Sequence, residues 1–372
     1  MALAATDNSS EPGSEANPPK PPQDLATDFE VDKNVLANFP DGTKVLSASH
    51  FGTSAWTVTA KMHVRLPDGT EETYFIKRAP DEYGRVLLEG EFHSMSELYK
   101  WAPDFVPKPH SFGKCASEEP GAYFFLSQYV KMASGMPDPV QLCQKLARLH
   151  KESVSPTGKF GFHTTTCQGR SAQRVDWEAN WRVFFVNLLQ HAIDRDFELN
   201  GHWDALHQLE KRLIAEVVPR LLDALEQNGR KLKPSLIHGD LWEGNTGTSL
   251  EGGNIYIFDA AAFYAHHEMD VADWRCYYNK VSDEVYTRTY LCYNDRSEPE
   301  DEWEDRNRLY SIYYNVIYSV NHQSQGTAVR QLAYNDMYFL IDKYAPFPDG
   351  GGPKRLVDTE MATLSAERDH TL

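Results

Sequence analysis

The stretch His238-Gly239-Asp240-Leu241-Trp242-Glu243-Gly244-Asn245 packs residue types that can do chemistry into a short span. Asp240 and Asn245 are separated by four residues, and a turn-rich stretch then leads into an apolar run, Ile255 to Phe258, that ends in Asp259. Transfer of a phosphoryl group asks a protein mainly for positioning and for neutralisation of charge. It needs a carboxylate beside the attacking hydroxyl and hard oxygen ligands for Mg²⁺, which takes one or two carboxylates plus phosphate oxygens. Asp240 is the candidate catalytic carboxylate, and Asn245 and Asp259 are the candidate Mg²⁺ ligands. Asp and Asn also cap turns in ordinary loops. The correct spacing of the Asn, and a second Asp closing an apolar strand, favour the chemical reading.

His238, Asp240 and Asn245 together match the catalytic-loop pattern of the protein-kinase-like group. That pattern predicts a lysine in an upstream strand that grips the α and β phosphates of ATP, and Lys77 closes the apolar run Tyr74-Phe75-Ile76. The helical period over 82–101 offers Glu89 and Glu91 as its partner. At 100° per residue Glu91 falls within about 60° of Leu88, at the edge of the apolar stripe, whereas Glu89 turns toward solvent. Glu91 is therefore the expected partner of Lys77. Between the first two strands, Ala48 to Trp56 holds a single glycine. Backbone amides from Gly52 through Thr53 to Ser54 could cap phosphates there, with an ordinary hairpin as the alternative. Gln128-Tyr129-Val130 follows the apolar strand Tyr123 to Leu126, where an inter-lobe hinge would pair its backbone with adenine.

The elements that must hold these residues follow from periodicity. Val45-Leu46, Trp56-Thr57-Val58 and Tyr74-Phe75-Ile76 are β-prone, and Pro67-Asp68-Gly69 is a turn in which Pro sets φ and Gly accepts positive φ. Helical patterns then dominate, over Gln141 to Lys151, Trp177 to Arg195, Trp203 to Gln227 and the tyrosine-rich stretch from Tyr310 to Tyr344. A β island at Leu236-Ile237 and Ile255 to Phe258 interrupts them. The fold class expected is α+β, a protein-kinase-like two-lobed fold with a small β-rich N-lobe and a larger, mainly helical C-lobe. Residues 1–27 read as a disordered tail, 28–127 as the nucleotide-binding N-lobe, 128–348 as the catalytic and substrate-binding C-lobe, and 349–372 as a flexible end. The acidic run from Glu298 to Asp305 reads as a solvated loop, His150 as a structural or capping histidine, and the adjacent His266-His267 as a poor ligand pair.

Composition narrows the classes. The 372 residues carry 54 acidic and 37 basic side chains, a formal net charge of −17. That balance disfavours a nucleic-acid or anionic-membrane surface, which needs stripes of Lys and Arg. No run approaches the roughly 18 apolar residues of a membrane span. Five scattered cysteines, with no Cys-x-x-Cys, argue against a disulfide framework or a zinc site. Neither a secretory signal nor a presequence fits the N-terminus. A cytoplasmic protein is expected.

Four stretches resemble the fructosamine-3-kinase (ketosamine kinase) family: Leu87 to Glu91, Lys159-Phe160-Gly161-Phe162-His163-Thr164-Thr165-Thr166-Cys167, His238 to Asn245, and Phe258 to Glu268. The similarity runs from about Phe51 to Pro348. The resemblance implies ATP- and Mg²⁺-dependent phosphorylation of the sugar O3′ of ribulosamine or fructosamine, free or protein-bound. The phosphorylated adduct then falls away, a deglycation repair. Small ketosamines or glycated proteins are the implied partners, with the protein as a monomer. The resemblance also assigns Trp242, Phe263, His266 and Glu268 to the substrate side. Three positions depart from the family. Asp259-Ala260-Ala261-Ala262 stands where Asp-Pro-Ala-Ser is usual, Ala265 replaces a glycine, and residues 48–56 lack the cysteine linked in the family to redox-controlled dimers. Two other readings stay open: another alcohol as acceptor, such as an aminoglycoside or choline, or a nucleotide-binding pseudokinase.

Overall fold

A computed structural model describes residues 29–52, 54–116, 121–133, 135–348 and 351–356. Thr53, residues 1–27 and most of the expected C-terminal tail lie outside them. The short helix α1 (Lys33–Leu36) precedes β1 (Lys44–His50), β2 (Val58–Arg65) and β3 (Glu71–Pro80). Helix α2 (Asp81–Trp101) follows directly, then β4 (Pro109–Lys114) and β5 (Ala122–Gln128). These strands form one antiparallel sheet in the order β1-β2-β3-β5-β4.

Alternation explains the sheet's two faces. Ala60, Met62, Val64, Tyr74, Ile76, Phe124 and Leu126 point to one side, where Phe29, Val35 and Phe39 close a small core. Ala79 and Phe125 belong to the other side and share the main core with Leu87, Leu88, Met95 and Leu98 of α2. The turn at Pro67-Asp68-Gly69 forms, with Gly69 at φ +90° and the Asp68 carboxylate accepting from the Thr70 amide at 2.9 Å. Strand β2 starts only at Val58, because the Ser54 hydroxyl accepts from the amides of Trp56 and Thr57 and holds them in a turn.

The chain then crosses to the helical part through β6 (Met132–Ala133) and α3 (Pro139–Glu152), followed by the tiny hairpin β7 (Cys167–Gln168) and β8 (Ser171–Ala172). Helices α4 (Trp181–Asn200), α5 (Asp204–Arg212) and α6 (Val218–Leu222) precede β9 (Ser235–Ile237), β10 (Thr246–Ser249), β11 (Ile255–Ile257) and β12 (Phe263–Ala265). Helices α7 (Glu284–Tyr293), α8 (Trp303–Asn321) and α9 (Gly326–Tyr344) complete it. Strand β10 lies between β11 and β6, and β12 pairs with β9.

Three local departures from periodicity have identifiable causes. Helix α4 begins at Trp181, not Trp177, because the Asn180 side chain caps it at the Val183 amide (3.0 Å). The run over 203–227 is broken: a π-helical stretch, Leu213–Val217, precedes Pro219, which has no N–H to give to the turn before it. Within the acidic run, α8 has already begun at Trp303, and Asp305 is buried as the acceptor of Lys343 and Tyr344 (both 2.6 Å). Among the described residues no helix is long and apolar enough to cross a membrane.

Candidate active site

Residues 238–245 are held by buried groups beneath them. Gly239 adopts φ +80°, and a Cβ there would stand 2.4 Å from the Ala261 carbonyl oxygen, so only glycine lets the loop turn so close to the strand beyond it. The amides of His238 and Gly239 both donate to the Asp270 carboxylate at 3.0 Å. Asp270 also meets His150 Nε2 (3.0 Å), whose Nδ1 meets the Tyr290 hydroxyl (2.7 Å). Burial opposes charge on Asp270, but the His150 bond and the Gly239 amide outweigh it and hold its carboxyl below the usual value. The Trp274 indole N–H donates to the Leu241 carbonyl at 2.8 Å.

His238 shapes the loop and has no solvent exposure. Burial lowers its pKa, so the ring is neutral. Its Nε2 lies 2.9 Å from the Phe258 carbonyl, which places the proton on Nε2, and Nδ1 accepts from the Asp240 amide at 3.3 Å. His238 thus ties the residue before Asp259 to the loop that carries Asp240.

The half-buried Asp240 carboxylate is held at both oxygens. Gln168 Nε2 donates to Oδ1 at 2.9 Å, and Asn245 Nδ2 donates to Oδ2 at 3.1 Å and to the Asp240 carbonyl at 2.8 Å. Burial pushes its carboxyl up to about 7, with the Asp259 charge adding to the rise and the two amides opposing it. Asn245 is fixed in turn, its carbonyl accepting from the Phe258 amide at 3.0 Å. Since Nδ2 is spent on Asp240, Oδ1 is the Asn245 atom left to meet a cation.

Across the cleft, Lys77 is 6 % exposed and reaches three carboxylate oxygens: Glu91 Oε1 at 2.8 Å, Glu91 Oε2 at 3.0 Å and Asp259 Oδ1 at 2.5 Å. Burial works against its charge, but the Asp259 and Glu91 carboxylates win and raise its pKa. Burial pushes Glu91 up while Lys77 pulls it back, and the close geometry fits an ionised pair. Glu89 instead pairs with Arg85 at the surface. Asp259 sits in the left-handed region at φ +58°. Asp tolerates that conformation better than most residues.

Helix α2 is tied to segments much further along the chain. A Cβ on Gly90 would lie 2.5 Å from the Thr165 carbonyl oxygen, the Ser94 hydroxyl accepts from the Ala262 amide (3.1 Å), and the Tyr264 hydroxyl donates to Glu97 (2.7 Å). In the loop between β1 and β2, Gly52 takes φ +74° and the Thr59 hydroxyl donates to the Phe51 carbonyl at 2.6 Å. Thr53 lies outside the described residues. At the expected hinge, the Gln128 amide donates to Lys108 (2.8 Å) and the Tyr129 amide to Thr73 (3.2 Å). Of the three hinge amides, only that of Val130 has no partner among the described residues.

The structure does not bring Phe263, His266 or Glu268 to the cleft, which corrects their assignment to the substrate side. All three have no solvent exposure. Phe263 pairs with Ile237 in the β9–β12 ribbon and its ring lies against Phe184. His266 spends both nitrogens, on the Tyr310 hydroxyl (2.9 Å) and the Ser297 hydroxyl (2.8 Å), and burial drives its pKa well down. Glu268 is clasped by Arg306 at 2.8 and 3.0 Å. His266 and Glu268 thus spend their polar atoms on core partners, although with His267 their ligand atoms lie within 4.8 Å of one another. Trp242 is half-buried and folds over Gly244 in its own loop. A cavity of about 560 Å³ lined by Phe162–Thr165, Ala172–Asp176 and His191 contains none of the predicted residues.

Sequence reading misses Gln168, Asp270 and Trp274. They lie far from Asp240 along the chain or in stretches with no distinctive spacing, and only the fold joins them.

Comparison with known proteins agrees with this geometry. The sequence model of the fructosamine kinase family matches residues 52–336. A chloroplastic protein-ribulosamine 3-kinase of Oryza sativa subsp. japonica is 26% identical over 278 residues, covering 74% of this chain and 73% of that protein. The ketosamine-3-kinase of Mus musculus is 27% identical over 275 residues, covering 68% and 83%. Among solved structures, a candidate fructosamine-3-kinase of Haemophilus somnus 129PT superposes with a TM-score of 0.61 at 18% identity, covering 80% of this chain and 92% of that one. An aminoglycoside phosphotransferase in ternary complex with ADP and hygromycin B gives 0.52 at 13% identity, covering 85% and 99%, which extends the likeness of fold to the wider kinase-like group. The chain belongs to the fructosamine kinase family and is an ATP-dependent phosphotransferase.

Proposed function

We propose that the protein transfers the γ-phosphoryl group of ATP to the sugar O3′ of ketosamines, ribulosamine or fructosamine, free or carried on protein. The observation that carries this reading is the Asp240 carboxylate held at both oxygens beside Asn245, opposite the Lys77–Glu91–Asp259 cluster. The family match and the activities for which the rice and mouse relatives are named support the acceptor class.

In the proposed reaction the acceptor hydroxyl oxygen attacks the γ-phosphorus while the bond to the β,γ-bridging oxygen breaks. The hydroxyl proton passes to Asp240, and ADP leaves with the electron pair of the broken bond. Asp240 orients the hydroxyl as much as it takes the proton, and its raised pKa keeps it a competent base near neutral pH. Lys77, freed from Asp259, meets the phosphates and Glu91 keeps it in place. The oxygens of Asn245 and Asp259 are the hard donors Mg²⁺ prefers, so these two residues would hold it, and it would neutralise phosphate charge when bound. The Val130 amide, which has no partner among the described residues, is the hinge group that would be open to adenine. Loss of the phosphorylated sugar from the amine would make the activity a deglycation repair.

Consumption of Mg-ATP with ribulosamine, fructosamine, choline and an aminoglycoside in parallel tests the reading. Turnover is expected with the ketosamines. Turnover confined to choline or the aminoglycoside would move the acceptor elsewhere, and tight nucleotide binding without any turnover would point to a pseudokinase.

A further inference from the structure

Gln168, at the end of β7, has no part in the reaction as written, yet it touches the proposed base. It is 8 % exposed, and its Nε2 donates to Asp240 Oδ1 at 2.9 Å. The NH₂ group of the amide faces the carboxylate, the orientation that an ionised acceptor requires. Its Oε1 is then shut from solvent with no partner among the described residues. A buried acceptor left unpaired costs about 1–3 kcal/mol. A leucine would fill the same space without that cost, so packing does not account for a glutamine here. A polar group left unsatisfied in a native interior calls for a reason.

The backbone around Gln168 is fixed from two sides. Asn321, at the end of α8, donates from Nδ2 to the Gln168 carbonyl (2.9 Å), while its Oδ1 accepts from the Arg170 amide and the Ser171 hydroxyl (both 3.0 Å). Just upstream, Thr165 and Thr166 lie against Gly90 of α2, the neighbour of Glu91. The hairpin is thus registered to the last turn of α8 and to the helix that holds Lys77.

We propose that Gln168 is a positioning residue for the phosphoryl transfer, gripping one oxygen of the Asp240 carboxylate while Asn245 grips the other. This inference rests on the kinase reading above. With Asn245 alone, the carboxylate could still rotate about its own bond. Two amides on two oxygens leave one orientation, with the remaining lone pairs turned to the acceptor hydroxyl. Displacements of about 1 Å at such a group can cost on the order of a hundredfold in rate. Gln168 is not among the residues that would hold Mg²⁺, so changing it perturbs the base without removing a metal ligand.

The test compares full-length wild type, Gln168→Leu and Gln168→Glu in steady-state assays with Mg-ATP and whichever acceptor the wild type turns over. Gln168→Leu should lower kcat on the order of tenfold, the effect of losing one hydrogen bond to a charged group. Its KM for Mg-ATP should stay within about twofold of wild type, and its Tm should hold or rise because the unpaired acceptor is gone. Gln168→Glu sets a second carboxylate against Asp240 and should lose more, on the order of a hundredfold. The inference is overturned if Gln168→Leu keeps kcat within about threefold, or if its loss of kcat comes with a matching rise in KM for Mg-ATP and a fall in Tm. Wild type that turns over no acceptor overturns the kinase reading and this inference together, and that result is seen before any variant is compared.

Discussion

The loop from His238 to Asn245 and the loop between β1 and β2 are held by different kinds of contact. The first rests on buried groups from distant parts of the chain: Asp270 under two amides, His150 under Asp270, Trp274 on Leu241, Phe258 on Asn245. The second hydrogen-bonds to its own neighbours, through the Ser54 hydroxyl and the bond from Thr59 to Phe51, and reaches distant segments by ring contacts, Phe51 with Phe75 and Tyr129 and Trp56 with His322 and Arg170. The difference follows from the work each would do. A base must not move relative to the hydroxyl it serves, whereas a loop over the phosphates must let nucleotide in and out. Buried hydrogen bonds are concentrated on the acceptor side.

Substitutions can break that contrast, and the largest effect belongs at its centre. Asp240→Asn should lower kcat by about a thousandfold while nucleotide affinity, measured by titration, stays within about threefold of wild type. Substantial retained activity would remove Asp240 from the chemistry. Lys77→Met should lower kcat/KM for ATP on the order of a hundredfold and cost about 3–5 kcal/mol in denaturant unfolding, because Glu91 is left buried without its counter-charge. Adding Glu91→Met should restore stability and not activity, and recovery of both would show the pair to be structural only. Gly90→Ala pushes α2 off the Thr165 carbonyl and should cost about 1–3 kcal/mol in the same measurement. An unchanged unfolding midpoint would show that the helix has room to shift.

Acidity should tell on the acceptor side. Burial raises the Asp240 carboxyl to about 7, so the protonated form that cannot accept a hydrogen should dominate below that pH. The logarithm of kcat/KM for the acceptor should rise about one unit per pH unit up to about 7 and then level. A profile that is flat down to about pH 5 would contradict a buried base. The smallest change belongs to the other loop. Ser54→Ala should leave stability within about 0.5 kcal/mol and alter only KM for Mg-ATP, by a few-fold at most.

Much of the fold is legible in the sequence because its elements obey simple periods. The strands around Met62 and Ile76 alternate, α2 keeps an apolar stripe, and the 100° rule is enough to separate Glu91 from Glu89. What is not legible depends on long-range contact. Gln168 reaches Asp240 from a hairpin of two-residue strands, too short to show a period. Asp270 serves the loop amides from within a 3₁₀ segment that has no repeat of its own. Phe263, His266 and Glu268 show the reverse error. A shared motif marks residues that a family keeps together, but core packing preserves residues as firmly as substrate does, and only burial tells the two apart.

The seating of α2 has one more consequence. Many kinases are silenced when the helix bearing the glutamate swings away from its lysine. Here that movement would tear Gly90 from Thr165, Ser94 from Ala262 and Glu97 from Tyr264 at once. Glu91 is thus delivered to Lys77 by the fold itself, with three separate contacts opposing withdrawal of the helix.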